Sequence, residues 1–175
     1  MHIEKMEVIT MKKQSRKLVL SALFAALCCM MTLVIQIPAP TGYVNLGDCA
    51  VLLGAWVLGP VWGGGAAALG SMMADLLGGW AVYAPATFVI KFLVAAVAAY
   101  ILRAVKGHKG MLVGASAAEL LMVGGYFLYE SLVLALGAGA VASIPFNLTQ
   151  GVVNVAAGVA AAVLLDRGGV LNRLK

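Results

Sequence analysis

Eight polar side chains interrupt the apolar stretches of this sequence: Asp48, Asp75, Lys91, Glu119, Glu130, Asn147, Gln150 and Asn154. In hydrocarbon an ionisable group costs about 2.5–3.5 kcal/mol on insertion scales, so each needs a partner, a wet cavity or an interfacial position. Lys91 pairs by depth with Asp75 or Glu130, since opposite charges at one level relieve each other's desolvation; snorkelling to the surface is the alternative. Asn147, Gln150 and Asn154 are spaced i, i+3, i+7 and share one helical face, suited either to a polar ligand or to hydrogen bonding between helices. Glu119, Tyr126 and Glu130 share a second face. Asp48 and Glu130 fall at helix ends, where facing headgroups and water is equally open to them, and Glu119 has no evident partner. Tyr43, Trp80, Tyr83, Tyr126, Tyr129 and Phe146 cluster at the same level and would wall a flat ligand.

Catalysis is a poorer use of these residues. No G-x-x-x-x-G-K-[ST] loop is present, so ATP energy would have to come from another subunit. His2 and His108 fall in a tail and a loop, which removes the usual general base and metal ligand from the apolar segments. Asp48 and Asp75 raise the idea of an intramembrane aspartyl protease, but their surroundings, Leu46-Gly47-Asp48 and Met73-Ala74-Asp75, lack flanking motifs for it. Cys28, Cys29 and Cys49 read as small apolar residues. The expectation is a non-enzyme without metal or cofactor.

The elements that must position these residues follow from composition. Of 175 residues 63% are hydrophobic and 11% charged, against about 25% charged in a soluble domain. That excludes a soluble globular domain, a disordered chain and a disulfide scaffold, leaving an all-α, polytopic membrane protein of the cell (plasma) membrane. At about 20 residues per crossing the chain holds six transmembrane helices. The predicted spans are 17–37, 48–58, 61–77, 85–103, 110–136 and 145–165, punctuated by Pro38, Pro40, Gly59-Pro60, Gly78-Gly79, Pro85 and Pro145. The net charge of +5 comes from three basic clusters: Lys5 to Lys17, Arg103 to Lys109, and Arg167 to Lys175. Under the positive-inside rule they place both termini in the cytoplasm and give topology, not nucleic-acid binding, as the meaning of the charge. The organisation is a cytoplasmic segment over 1–17, which is not a cleaved leader, a membrane domain over 18–166 and a tail over 167–175. Met11 is a second candidate start.

In this topology every polar residue except Glu119 belongs to the outer half. A channel would need polar groups along the whole crossing, so the pattern indicates an outward-facing site for a small planar solute. Small residues repeat every four positions at Ala22 and Ala26, at Gly70, Ala74 and Gly78, and at Gly151, Asn154, Gly158 and Ala162, which allows close helix approach. The pair on the first helix stands apart as a surface for a partner subunit.

Four segments carry a family resemblance: Tyr43-Val-Asn-Leu-Gly-Asp48, Leu58-Gly-Pro-Val-Trp-Gly63, Gly70-Ser-Met-Met-Ala-Asp75-Leu-Leu-Gly78 and Tyr83-Ala-Pro-Ala-Thr-Phe-Val-Ile-Lys91. Together with length and helix order, they resemble the substrate-binding S component of energy-coupling factor (ECF) vitamin transporters, in the riboflavin-type branch. The resemblance implies an ABC importer subunit that binds a water-soluble vitamin or precursor, works with a transmembrane coupling protein and two ATPase subunits, and topples in the membrane to release its ligand. It implies docking through Ala22 and Ala26. It also implies a site near the outer face built from the first outer loop and the fourth to sixth helices. The residues assigned to it are Asn45, Asp75, Tyr83, Lys91, Tyr126, Glu130, Asn147, Gln150 and Asn154. Riboflavin, hydroxymethylpyrimidine-like and pyridoxine-like rings all suit flat aromatic walls. A self-sufficient transporter and a ligand-free structural subunit are the rival readings.

Overall fold

The computed structural model describes residues 2–169, with side chains for Met11 and residues 14–169. The side chains of Lys5, Lys12, Lys13, Arg173 and Lys175, used above to orient the chain, lie outside the described residues. Five α-helices make the framework: α1 (His2–Val34), α2 (Gly47–Leu77), α3 (Ala84–Ala104), α4 (Gly107–Leu128) and α5 (Ile144–Arg167). Each contains, alone or with an adjoining turn, a stretch long and apolar enough to cross a membrane. All-helical architecture and a multi-pass membrane protein are thus established, with five helices among the described residues where six were expected.

The difference lies in α2. Gly59 adopts φ 82°, ψ −177°, outside helical space, and Pro60 cannot continue the hydrogen-bond ladder. The expected second and third helices are therefore two limbs of one element. They double back on each other. A Cβ placed on Gly63 would lie 2.8 Å from the Ala55 Cα, whereas residues eight apart on a straight helix are separated by about 12 Å. Gly47 abuts Thr32 while Gly78 abuts Leu33 and Gln36, so both ends of α2 sit at one level against the end of α1.

Two further boundaries depart from expectation. α1 stops at Val34, and Ile37–Pro38 pairs antiparallel with Tyr43–Val44 in a two-residue ladder, β1 and β2. The predicted 110–136 helix is α-helical only to Leu128. It passes through a π-helical turn, Tyr129–Val133, to Ala135 at φ 56°, and a 3₁₀ segment, Gly137–Ser143, leads into α5.

α2 is the hub, packed on α1, α3 and α5, with α4 bridging α3 and α5. Its first limb is buried continuously from Gly47 to Trp56. Alanines of α3 and α4, among them Ala95, Ala98, Ala115 and Ala118, are fully or nearly fully buried beside it, the small-residue approach that packs helices where lipid removes the usual hydrophobic drive. α1 is peripheral, exposing Leu18, Val19, Leu23 and Met30 while burying Phe24, Cys28 and Thr32.

Candidate functional site

The cavity lies where both ends of α2, the end of α1 and the start of α3 meet. Tyr83, which caps the start of α3, and Thr87 and Lys91 within it recur every four residues and so share one face; all three are buried and line the cavity. Pro85 in the first helical turn fixes the start of that face. Tyr126 and Glu130 contribute the same spacing from α4 and its π-helical extension, and Asn147 and Gln150 come from α5. The cavity between them measures about 40 Å³, room for a few water molecules and smaller than the usual small-molecule site, so a ring-sized ligand requires the lining side chains to move apart.

At the base of the cavity Lys91 Nζ stands 2.5 Å from Asp48 Oδ1, with both side chains almost wholly buried. This corrects the expected pairing of Lys91 with Asp75 or Glu130. The hairpin of α2 carries Asp48 inward to α3, and Asp48 occupies the first turn of α2, where the helix dipole favours an anion. Gln150 Nε2 donates to the other Asp48 oxygen at 2.7 Å. Neither Asp48 nor Glu130 faces headgroups or water: they are 0% and 1% exposed.

The amide face of α5 divides between two tasks. Gln150 Oε1 accepts from the Asn45 backbone N–H at 3.0 Å. Asn154 Oδ1 accepts from the Cys49 N–H at 2.8 Å, and its amide donates to the Asn45 and Gln150 carbonyls. Asn45 Oδ1 in turn accepts from the Gly47 N–H. These bonds latch the β2–α2 corner onto α5. Asn154 does not line the cavity, whereas Asn147, half-buried, does.

Two carboxylates stand higher up. Asp75 Oδ1 accepts from the Tyr43 hydroxyl at 2.7 Å, while its Oδ2 is buried without a well-formed hydrogen bond among the described residues. Glu130 accepts from Tyr83 at 3.3 Å and from Ser143 at 2.5 Å. Burial, reinforced by these carboxylates, raises the Tyr43 and Tyr83 hydroxyls above the ordinary phenol range, so both remain neutral donors. The rings form a chain, Tyr43 to Trp80 at 5.4 Å, Trp80 to Tyr83 at 6.2 Å, then Tyr83 to Tyr126 at 6.4 Å and to Tyr129 at 5.7 Å. Tyr129 donates to the Val82 carbonyl and ties the α2–α3 connection to α4. Phe146, expected among these walls, does not line the cavity and is exposed.

Thr32, Thr41, Ser71 and Thr87 also line the cavity and escaped the sequence reading. Hydroxyls sit comfortably in apolar helices by bonding to nearby carbonyls, so they carry no warning of a site. The signal available was periodicity: Ser71 precedes Asp75 by one turn and Thr87 precedes Lys91 by one turn. Glu119 is 3% exposed, packs against Gly151 and has neither carboxylate oxygen bonded among the described residues; it borders a separate groove between α4 and α5. Ala22 and Ala26 are exposed on α1, and Ala22 borders an apolar groove with Trp62, Gly65 and Leu69 of α2.

Comparison with known proteins gives a consistent picture. The family model of the ECF-type riboflavin transporter S component matches residues 12–167. A solved structure of the S component of a bacterial ECF transporter superposes with a TM-score of 0.73, covering 88% of this chain and 97% of that one at 21% identity. That identity makes the likeness one of fold. An uncharacterised protein of Pyrococcus woesei is 46% identical over 59 residues, which is 33% of this chain and 38% of that protein's length.

Proposed function

Because this chain belongs to the family of ECF-type riboflavin transporter S components, a transporter family and not an enzyme family, we propose that it is the substrate-specificity subunit of an ECF-type ABC importer. It binds a water-soluble vitamin or vitamin precursor, riboflavin or a hydroxymethylpyrimidine- or pyridoxine-like ring, at the outer face of the cell membrane. A transmembrane coupling protein and two ATPase subunits drive uptake. In this reading the chain crosses the membrane six times, counting each limb of α2, with both termini cytoplasmic and the membrane domain spanning 18–166.

The observation that carries the proposal is a cavity walled by tyrosines and floored by a buried ion pair. Lys91, Asp48 and Gln150 close the floor, and the core below is lined by Val94, Ala95, Ala98, Leu52 and Met122. Such a site binds and holds a solute but offers no continuous polar path across, which argues against a self-sufficient channel. Asn45, Asp75, Tyr83, Lys91, Tyr126, Glu130, Asn147 and Gln150 surround the ligand, while Asn154, bonded to the Asn45 carbonyl, holds the first loop in place. The test is to purify the chain alone in detergent, denature it and identify any released small molecule by mass spectrometry. A vitamin-type compound at one per chain is the expected result. Its absence, with no vitamin raising the melting temperature, would leave a purely structural subunit.

A further inference from the structure

Carboxylates outnumber cations in the cavity, and the wall chemistry decides which ligands it will hold. Asp48 and Lys91 neutralise each other at 2.5 Å, and Gln150 engages the second Asp48 oxygen. Asp75 and Glu130 remain, and no other Lys, Arg or His among the described residues lines the cavity. Glu130 receives a hydrogen bond at each oxygen. Asp75 receives one, from Tyr43, and its Oδ2 is buried without a well-formed hydrogen bond among the described residues, the Thr87 hydroxyl being its other polar neighbour. An unfilled buried acceptor is costly in the folded state, so Asp75 Oδ2 on the cavity wall marks where a ligand donor belongs.

The aromatic lining adds the same preference. Ring faces carry negative charge density and attract cations, above all where several rings surround one point. Tyr43, Tyr83 and Tyr126 line the cavity, and Trp80 meets the Tyr43 ring at a tilt and the Tyr83 ring edge-on. Lys91 Nζ already lies over the Tyr126 ring, 5.5 Å from its centroid, which leaves the rings of Tyr43 and Tyr83, the two phenols that donate to carboxylates. Two carboxylates beside such faces attract positive charge and repel negative charge.

We infer that the ligand is a small nitrogen heterocycle carrying a positive charge and an N–H or O–H donor, the donor completing Asp75 Oδ2 and the charge lying between Asp75, Glu130 and the tyrosine faces. Uncharged flavin-like rings bind less well, and phosphorylated or carboxylated analogues are rejected. This inference rests on the cavity being the substrate site and narrows the ligand within the vitamin class.

Four probes of graded charge test it on the full chain in detergent by isothermal titration: thiamine and pyridoxamine as cations, riboflavin as the neutral ring, and riboflavin 5′-phosphate as the anion. At least one cation is expected to bind more tightly than riboflavin, with the phosphate weakest. Asp75→Asn should weaken the cation by about tenfold to a hundredfold, the loss of one charge-assisted hydrogen bond, and weaken it more than it weakens riboflavin. Riboflavin binding above both cations, or cation binding indifferent to Asp75→Asn, would overturn the charge assignment and leave the site itself standing. Failure of every probe on protein that melts cooperatively would overturn the site as well. Should Asp75→Asn not give monodisperse protein, the wild-type order of the four probes decides alone.

Discussion

Lys91 and Asp48 show at the residue scale what a buried charge demands. Removing one partner of a buried pair leaves the other uncompensated, typically at about 3–5 kcal/mol, whereas replacing both by neutral groups is often tolerated. Lys91→Met is therefore expected to lower the midpoint of detergent-induced unfolding sharply, and Asp48→Asn combined with Lys91→Met to recover most of the loss. A double variant no better than the single one would mean that the pair does more than neutralise itself. The α5 amides separate in the same way. Asn154→Ala removes two bonds that hold the β2–α2 corner and one to the preceding turn of α5 and should destabilise the fold by about 1–3 kcal/mol, the cost of stranding buried partners. Asn147→Ala should leave melting unchanged and alter ligand affinity alone. The sequence displayed all of these residues, because each is an anomaly in an apolar chain. Their pairings were hidden: depth along a helix is readable from residue number, but lateral proximity depends on which helices are neighbours, and Lys91 meets Asp48 through a hairpin that periodicity does not reveal.

That hairpin sets the element scale. Gly59-Pro60 was legible as a break, since a proline after a glycine cannot continue a ladder; that the limbs fold back along each other follows from packing of Gly63 on Ala55. The positive φ at Gly59 with ψ near 180° lies in a region essentially reserved for glycine, at a cost of about 1–3 kcal/mol for other residues. A Cβ there would also come within 2.9 Å of the Arg103 guanidinium, whose flexible end can yield. Gly59→Ala is thus expected to lower stability by about 1–3 kcal/mol in a melt. Ligand affinity should be preserved, because Gly59 lies at the opposite end of the limbs from Asp48 and Asp75. Lost binding at unchanged stability would show that the turn acts on the site. The π-helical turn at Tyr129–Val133 was not legible: a helix with one extra residue per turn leaves the hydrophobic pattern nearly intact. Its consequence is functional, because Glu130 lies within it and reaches both Tyr83 and Ser143, in keeping with the frequent placement of π-turns at functional sites.

On the scale of the whole molecule, the binding cavity and the exposed alanine face occupy different surfaces and should be separable. α1 buries only Phe24, Cys28 and Thr32 among the described side chains from Leu18 onward, while Ala22 and Ala26 face outward beside the groove that Trp62, Gly65 and Leu69 form on α2. Small residues at this spacing let another helix approach to backbone contact, and a leucine at either position would hold it off by the thickness of its side chain. Ala22→Leu and Ala26→Leu are therefore expected to abolish uptake in cells supplied with the coupling protein and ATPases, and to prevent co-purification with them. Ligand affinity of the isolated chain should be unchanged, since neither alanine lines the cavity. Normal uptake by both variants would move the docking surface elsewhere. Reduced affinity in the isolated chain would instead mean that α1 transmits its packing to Thr32, two turns or less beyond Ala26 on the same helix, and hence to the cavity wall.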